Sequence, residues 1–181
     1  MLIVLLLCLL LLCGCSCDIE HDPKTFRVLS YNVQNLFDAR LDGGEYPEYQ
    51  DPKVWNDRSY RMRLDSLSKV LLSDKLLYPD VIILQEVEGP RVVEDLLSLH
   101  LGRKGYRWYA VAKGFDAAIS VAVISRHPIA STLVHAAPKI RPVLEAVIAT
   151  EAGEISLFAL HAKSRIGDGA DLRLSLAKVV S

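Results

Sequence analysis

Apolar residues recur along this chain with a period that changes from stretch to stretch, and each change marks a predicted element. In "FRVLSYNV", Phe26, Val28 and Ser30 share one face and Leu29, Tyr31 and Val33 the other. This pattern predicts a strand covered on both sides, giving way to polar residues at Asn32 and Asn35. The span from Asp38 to Trp55 is rich in Gly, Pro and acids and reads as a surface loop of the length that usually serves a role, such as rimming a site. Leu64, Leu67 and Leu71 repeat at helical spacing, which predicts a helix from a cap at Asn56 or Asp57 to Leu72. Val81 to Leu84 is apolar without interruption after a Pro79-Asp80 turn and reads as a central strand. Pro90 suits the first position of a short helix over Arg91 to Leu99. The period then falls to two. It predicts strands near Tyr106–Ala112, Ile119–Ser125, Ile129–Val134, Val143–Thr150 and Ile155–His161, with turns at Lys113-Gly114, His127-Pro128 and Ala152-Gly153. A last helical pattern begins near Asp171, with Leu172, Leu176 and Val179 on one side.

Three of these strands close on a polar group. Glu86 continues the face of Ile82 and Leu84, His161 that of Ile155, Leu157 and Ala159, and Asn32 that of Phe26 and Val28. Singly, each has an ordinary explanation: Asn32 as a turn residue, His161 as a structural or exposed strand end, Glu86 as a surface residue. Together they matter more, because strand ends in layered α/β folds commonly gather at one site. A buried, unpaired carboxylate is costly, so Glu86 must reach solvent, pair with a base or bind a metal.

Composition narrows the setting. The 181 residues make room for one domain of ordinary size. With 21 basic against 22 acidic residues and a formal charge of −1, the chain carries no global electrostatic signature of nucleic-acid binding, although a local basic cleft remains compatible with it. The 51% hydrophobic content is inflated by "MLIVLLLCLLLLCGCSC". Leu2 to Cys13 would span roughly 18 Å as a helix against the ~30 Å of a bilayer core, so it reads as a secretory signal rather than a membrane span. A short buried helix is the other reading. "LCGC", Leu12 to Cys15, resembles the lipobox of bacterial lipoproteins, and that resemblance implies cleavage before an acylated Cys15. The expected order is then a signal peptide at 1–14, a lipidated tether at 15–25 and a domain at 26–181. The expected location is exported: a bacterial membrane-anchored lipoprotein, periplasmic or at the cell surface, or a secreted form. All four cysteines lie between Cys8 and Cys17, so the domain has none for an internal disulfide or a zinc site.

The segments "LSYNVQNLFD", "PDVIILQEVEG", "AISVAVISRHPI" and "LFALHAKSR", in that order, resemble the endonuclease/exonuclease/phosphatase superfamily, also called deoxyribonuclease-I-like. The resemblance runs from Phe26 to the last residue. It implies an α/β fold, a four-layer sandwich of two mixed β-sheets flanked by helices, of which this chain holds the N-terminal part. It also implies hydrolysis of phosphodiester or phosphomonoester bonds with Mg²⁺ (or Mn²⁺). By the same resemblance Glu86 is the metal-binding glutamate and Asn32 the amide beside it. His161 is the first of two active-site histidines, Arg141 an arginine that supports the site, and Arg173 a structural helix position. A hard cation prefers oxygen donors, and histidine and arginine stabilise charge on phosphoryl oxygens, so these residue types suit that chemistry.

Two departures from the family pattern are visible. "DAAIS", Asp116 to Ser120, lacks the charges of the family's Asp-x-Arg-Gly-Ile-Asp, and the family's later Asp-x-Asn segment and closing Asp-His pair do not occur before Ser181. The expectation is therefore a phosphoesterase that is inactive alone, or that works with a separate chain supplying the missing half. A non-catalytic surface lipoprotein or relic of the fold is the alternative. The substrate is a nucleic acid or another phosphate ester. "YRWY", Tyr106 to Tyr109, could present aromatic and basic groups to a nucleic acid, but strand alternation sends half of them to the core.

Overall fold

A computed structural model describes residues 25–136, 140–162 and 169–179. Cys15, the expected signal peptide and nearly all of the expected tether lie outside the described residues. The elements in chain order are β1 (Val28–Leu36), α1 (Asp57–Leu71), β2 (Val81–Val87), α2 (Pro90–Leu96), β3 (Trp108–Lys113), β4 (Ser120–Ser125), β5 (Ile129–His135), β6 (Val143–Thr150), β7 (Gly153–Ala159) and α3 (Ala170–Val179). One sheet has the order β1-β2-β4-β3 and is mixed, with β1 parallel to β2 and the other pairs antiparallel. The other has the order β5-β6-β7 and is antiparallel in both pairings.

Alternation along β2 decides the layering. Ile82, Leu84 and Val87 enter one core with Leu64, Leu67 and Leu71 of α1 and Val92, Val93 and Leu96 of α2. Val81 and Ile83 enter a second core with Val121 and Val123 of β4 and Leu144, Ala146 and Ile148 of β6. A helical layer, the mixed sheet and the antiparallel sheet are thus stacked in that order, with β4 buried at all six positions. Helix α1 starts where the sequence predicts. The Asn56 side chain accepts from the backbone N–H groups of Arg58 and Ser59, and the Ser59 hydroxyl accepts from the Asn56 N–H, a reciprocal capping box.

Several expectations need correction. β1 is an edge strand and is not covered on both sides: Val28 is 43% and Tyr31 36% exposed. Among the described residues it pairs only with β2, while β5, β6 and β7 pack mainly across β3 and β4. The helix opened by Pro90 ends at Leu96 and continues as a wide turn over Leu97–Leu101 and a tight one over Gly102–Lys104. Tyr106 precedes β3, buried, and donates its hydroxyl to the Pro79 carbonyl at 2.7 Å; Arg107 is exposed. His161 lies two residues beyond the end of β7 rather than within a strand. The long loop is anchored by its own aromatics, Phe37 against Tyr46 and Tyr49, and Tyr49 against Trp55. Among the described residues no helix is long and apolar enough to cross a membrane.

Candidate active site

The β1–β2 ladder is regular from Val28 opposite Val81 to Asn32 opposite Gln85, breaks, and resumes at Leu36 opposite Val87. β2 breaks register against β4 at the same place, between Gln85 and Val87. Gln34, Asn35 and Glu86 adopt left-handed backbone, with φ of 55°, 57° and 66°. Bulges of this kind re-aim side chains, and here they turn Glu86 toward β1.

The Glu86 carboxylate accepts from Asn32 Nδ2 at 2.8 Å through Oε1 and from the Asn35 backbone N–H at 3.0 Å through Oε2. Asn32 Oδ1 in turn accepts from the Gln34 N–H at 2.8 Å. His161 brings Nε2 to 3.3 Å from Glu86 Oε1, and Arg141 Nη1 donates to His161 Nδ1 at 2.6 Å. The four candidates Asn32, Glu86, His161 and Arg141 therefore form one continuous line of contacts at the end of the mixed sheet. Because a guanidinium can only donate, Nδ1 of His161 is an acceptor and the ring proton sits on Nε2, facing Glu86. Burial, and then the positive charge of Arg141, lower the pKa of His161 below the ordinary 6.5 against the opposing pull of Glu86. The ring is neutral at neutral pH.

Beyond this line lies an acidic group that the sequence reading did not single out. One ligand oxygen each from Asp42, Glu45 and Glu88 falls within 4.8 Å of the others, and Glu45 and Glu88 are buried. Glu45 accepts from the N–H groups of Asp42 and Gly43 at 2.6 and 3.1 Å, and Glu88 from that of Asp38 at 2.7 Å. Burial pushes Glu88 up to about 7 against that backbone donor. A cavity of about 430 Å³ opens here, with Arg40, Arg91 and Lys113 among its lining. The only local signal of the cluster was the spacing of acids through a loop read as solvent-exposed. Nothing in that spacing says that Glu45 folds inward.

One carboxylate and one amide oxygen, from Glu86 and Asn32, are a donor set that a hard divalent cation would accept alongside water. Both lie at an accessible rim, Asn32 exposed and Glu86 half-buried. The three acids offer a second cation-compatible group; Glu45 and Glu88 hold backbone donors there, as Glu86 and Asn32 Oδ1 do at the rim.

A family model described as "Endonuclease/Exonuclease/phosphatase family" matches residues 27–168. Among solved structures, TDP2 from Caenorhabditis elegans superposes with a TM-score of 0.56 at 15% identity, over 86% of this chain and 40% of that one. An endonuclease/exonuclease/phosphatase family protein from Leptotrichia buccalis gives 0.53 at 16% identity, over 86% of this chain and 61% of that one. An AP endonuclease from Archaeoglobus fulgidus gives 0.51 at 16% identity, over 86% and 49%. At these identities the likeness is one of fold, and the chain spans 40–61% of the length of these structures. The sequence finds no match among curated proteins.

Proposed function

The chain belongs to the endonuclease/exonuclease/phosphatase family, and on that footing we propose that it carries the metal-binding part of a phosphoesterase site for phosphodiester or phosphomonoester bonds. The observation behind this reading is the convergence of Asn32, Glu86, His161 and Arg141 in one line of contacts. Glu86 and Asn32 would hold Mg²⁺ (or Mn²⁺), which when bound supplies a Lewis acid for a phosphoryl oxygen and eases charge on the leaving oxygen. Asn35 N–H keeps the Glu86 carboxylate in one orientation. His161, neutral and protonated on Nε2, donates to a non-bridging oxygen rather than accepting a proton. Arg141 occupies Nδ1, preserves that tautomer and adds positive charge at the rim.

The four groups include no free base. The one lone pair of His161 faces Arg141, and Glu86 is committed to the cation. Activation of the attacking water therefore falls to a group outside these four, which we assign to further polypeptide, within a longer chain or from a separate one. The same point favours the second reading, a non-catalytic module retaining the fold. The substrate would be a nucleic acid or another phosphate ester. From the lipobox-like "LCGC" we also propose export and attachment to a bacterial membrane through Cys15.

Hydrolysis of bis(4-nitrophenyl) phosphate and of DNA, with Mg²⁺ and with EDTA, tests the catalytic reading. Glu86→Gln is expected to lower Mg²⁺-dependent turnover by about 100-fold or more, the scale of losing one electrostatic group from an active site. Turnover untouched by that change removes Glu86 from the site; a wild-type chain that binds Mg²⁺ through Glu86 without turnover fits the metal-binding part alone, and one that binds no Mg²⁺ favours the non-catalytic module.

A further inference from the structure

Where the β1 ladder is interrupted, side chains bond its backbone groups, and these hydrogen bonds identify one more residue of the site. Across the break, the Gln34 N–H goes to Asn32 Oδ1 and the Asn35 N–H to Glu86 Oε2. The Val33 carbonyl is met from outside the sheet, by Arg63 Nη2 of α1 at 2.8 Å. Val33 is itself 2% exposed, so its side chain is fixed in the core while its carbonyl is fixed by the guanidinium. From these two anchors the next residues, Gln34 and Asn35, follow a left-handed path.

We propose that Arg63 is a positioning residue: by holding the Val33 carbonyl it sets the β1 bulge that presents Asn32 and the Asn35 N–H to Glu86. Its charge also lies close enough to the site to act on the Tyr49 hydroxyl together with that of Glu86. A neutral side chain at this position leaves the Val33 carbonyl to water, frees the bulge to relax toward regular pairing and moves the donors that orient Glu86. A lysine in its place could still donate to the carbonyl, although through one group instead of a planar fork. The consequence for cation binding rests on the proposed role of Glu86 and Asn32. The consequence for bulge geometry does not.

The experiment uses the ¹⁵N-labelled full chain without metal, followed by calorimetric titration with Mg²⁺. Arg63→Met is expected to shift the Asn35 and Glu86 amide resonances and to weaken Mg²⁺ binding about 10- to 100-fold, the range found when a residue supporting a metal ligand is removed. Arg63→Lys is expected to restore most of both. Unmoved Asn35 and Glu86 resonances in Arg63→Met overturn the proposal, as does Arg63→Lys behaving like Arg63→Met. Should Arg63→Met fail to fold, Arg63→Lys against wild type decides the matter through the same two resonances. A Glu86→Gln control separates the two ideas: Mg²⁺ binding indifferent to Glu86→Gln sinks the cation reading, while the amide shifts still judge Arg63.

Discussion

Glu86 at φ 66° and Gln34 at φ 55° occupy backbone that side chains with a Cβ seldom adopt, at a cost on the order of 1–3 kcal/mol each. Asn35 bears the same geometry more cheaply, because asparagine tolerates it. Such conformations persist where surrounding bonds over-determine them, and here side chains supply those bonds. Two residues further on, Glu88 carries a testable electrostatic consequence. Its folded pKa of about 7 exceeds the ordinary 4.5 because of burial, so the folded chain holds more protons than the unfolded one between those values. The stability linked to this group is complete below pH 4.5 and is lost as pH rises through about 7. His161 works in the opposite sense: its pKa lies below 6.5, so its contribution is present above 6.5 and declines as pH falls. Urea denaturation in EDTA should therefore show Glu88→Gln losing most of the decline in stability between pH 5 and 8. A decline in the variant equal to wild type refutes the assignment.

At the scale of elements, α1 carries Arg63 and presents Leu64, Leu67 and Leu71 to the sheet, so its start governs both packing and site. Asn56 caps that start by accepting from two backbone donors. Asn56→Ala is expected to cost about 1 kcal/mol in chemical denaturation, within the usual range of about 0.5–2. A change below about 0.3 kcal/mol would mean that the neighbouring loop already holds the helix end. The β1 and β2 bulges are the complementary device. They end regular pairing at the point where polar side chains must turn to one rim, and β2 regains register one residue later at Val87.

At the scale of the molecule, the two sheets are offset. The antiparallel sheet lies mainly over β3 and β4, while β1 projects beyond it with Val28, Ser30 and Asn32 exposed. Among the described residues the outer edge of β7 carries no paired strand. The candidate site sits at this open side, where polypeptide bringing a base would have room. The Cys15 proposal belongs to the same scale. In bacterial fractionation the full chain is expected in the detergent-extractable membrane fraction and Cys15→Ser in the soluble exported fraction. A wild-type chain that remains soluble would end that proposal.

Local pattern was sufficient for much of this protein. Element order, the Asn56 cap and the paired cores of β2 follow from periodicity and capping chemistry, which act over a few residues. That Asn32, Glu86 and His161 mark where apolar runs give way to polar groups was legible for the same reason, although Asn32 falls inside β1 and His161 beyond β7, and the ordered motifs added Arg141 and the family. Tertiary structure decided the rest. Whether β1 was central or at an edge depended on where the second sheet came to lie, and apolar residues on both faces do not report that. The Asn32–Glu86 bond joins residues 54 positions apart, and the left-handed turns that make it leave no periodic trace. Glu45 and Glu88 became buried acids, and Arg63 a backbone donor, only when distant segments closed around them: a side chain's polarity is written in the sequence, but its partner is chosen by the fold.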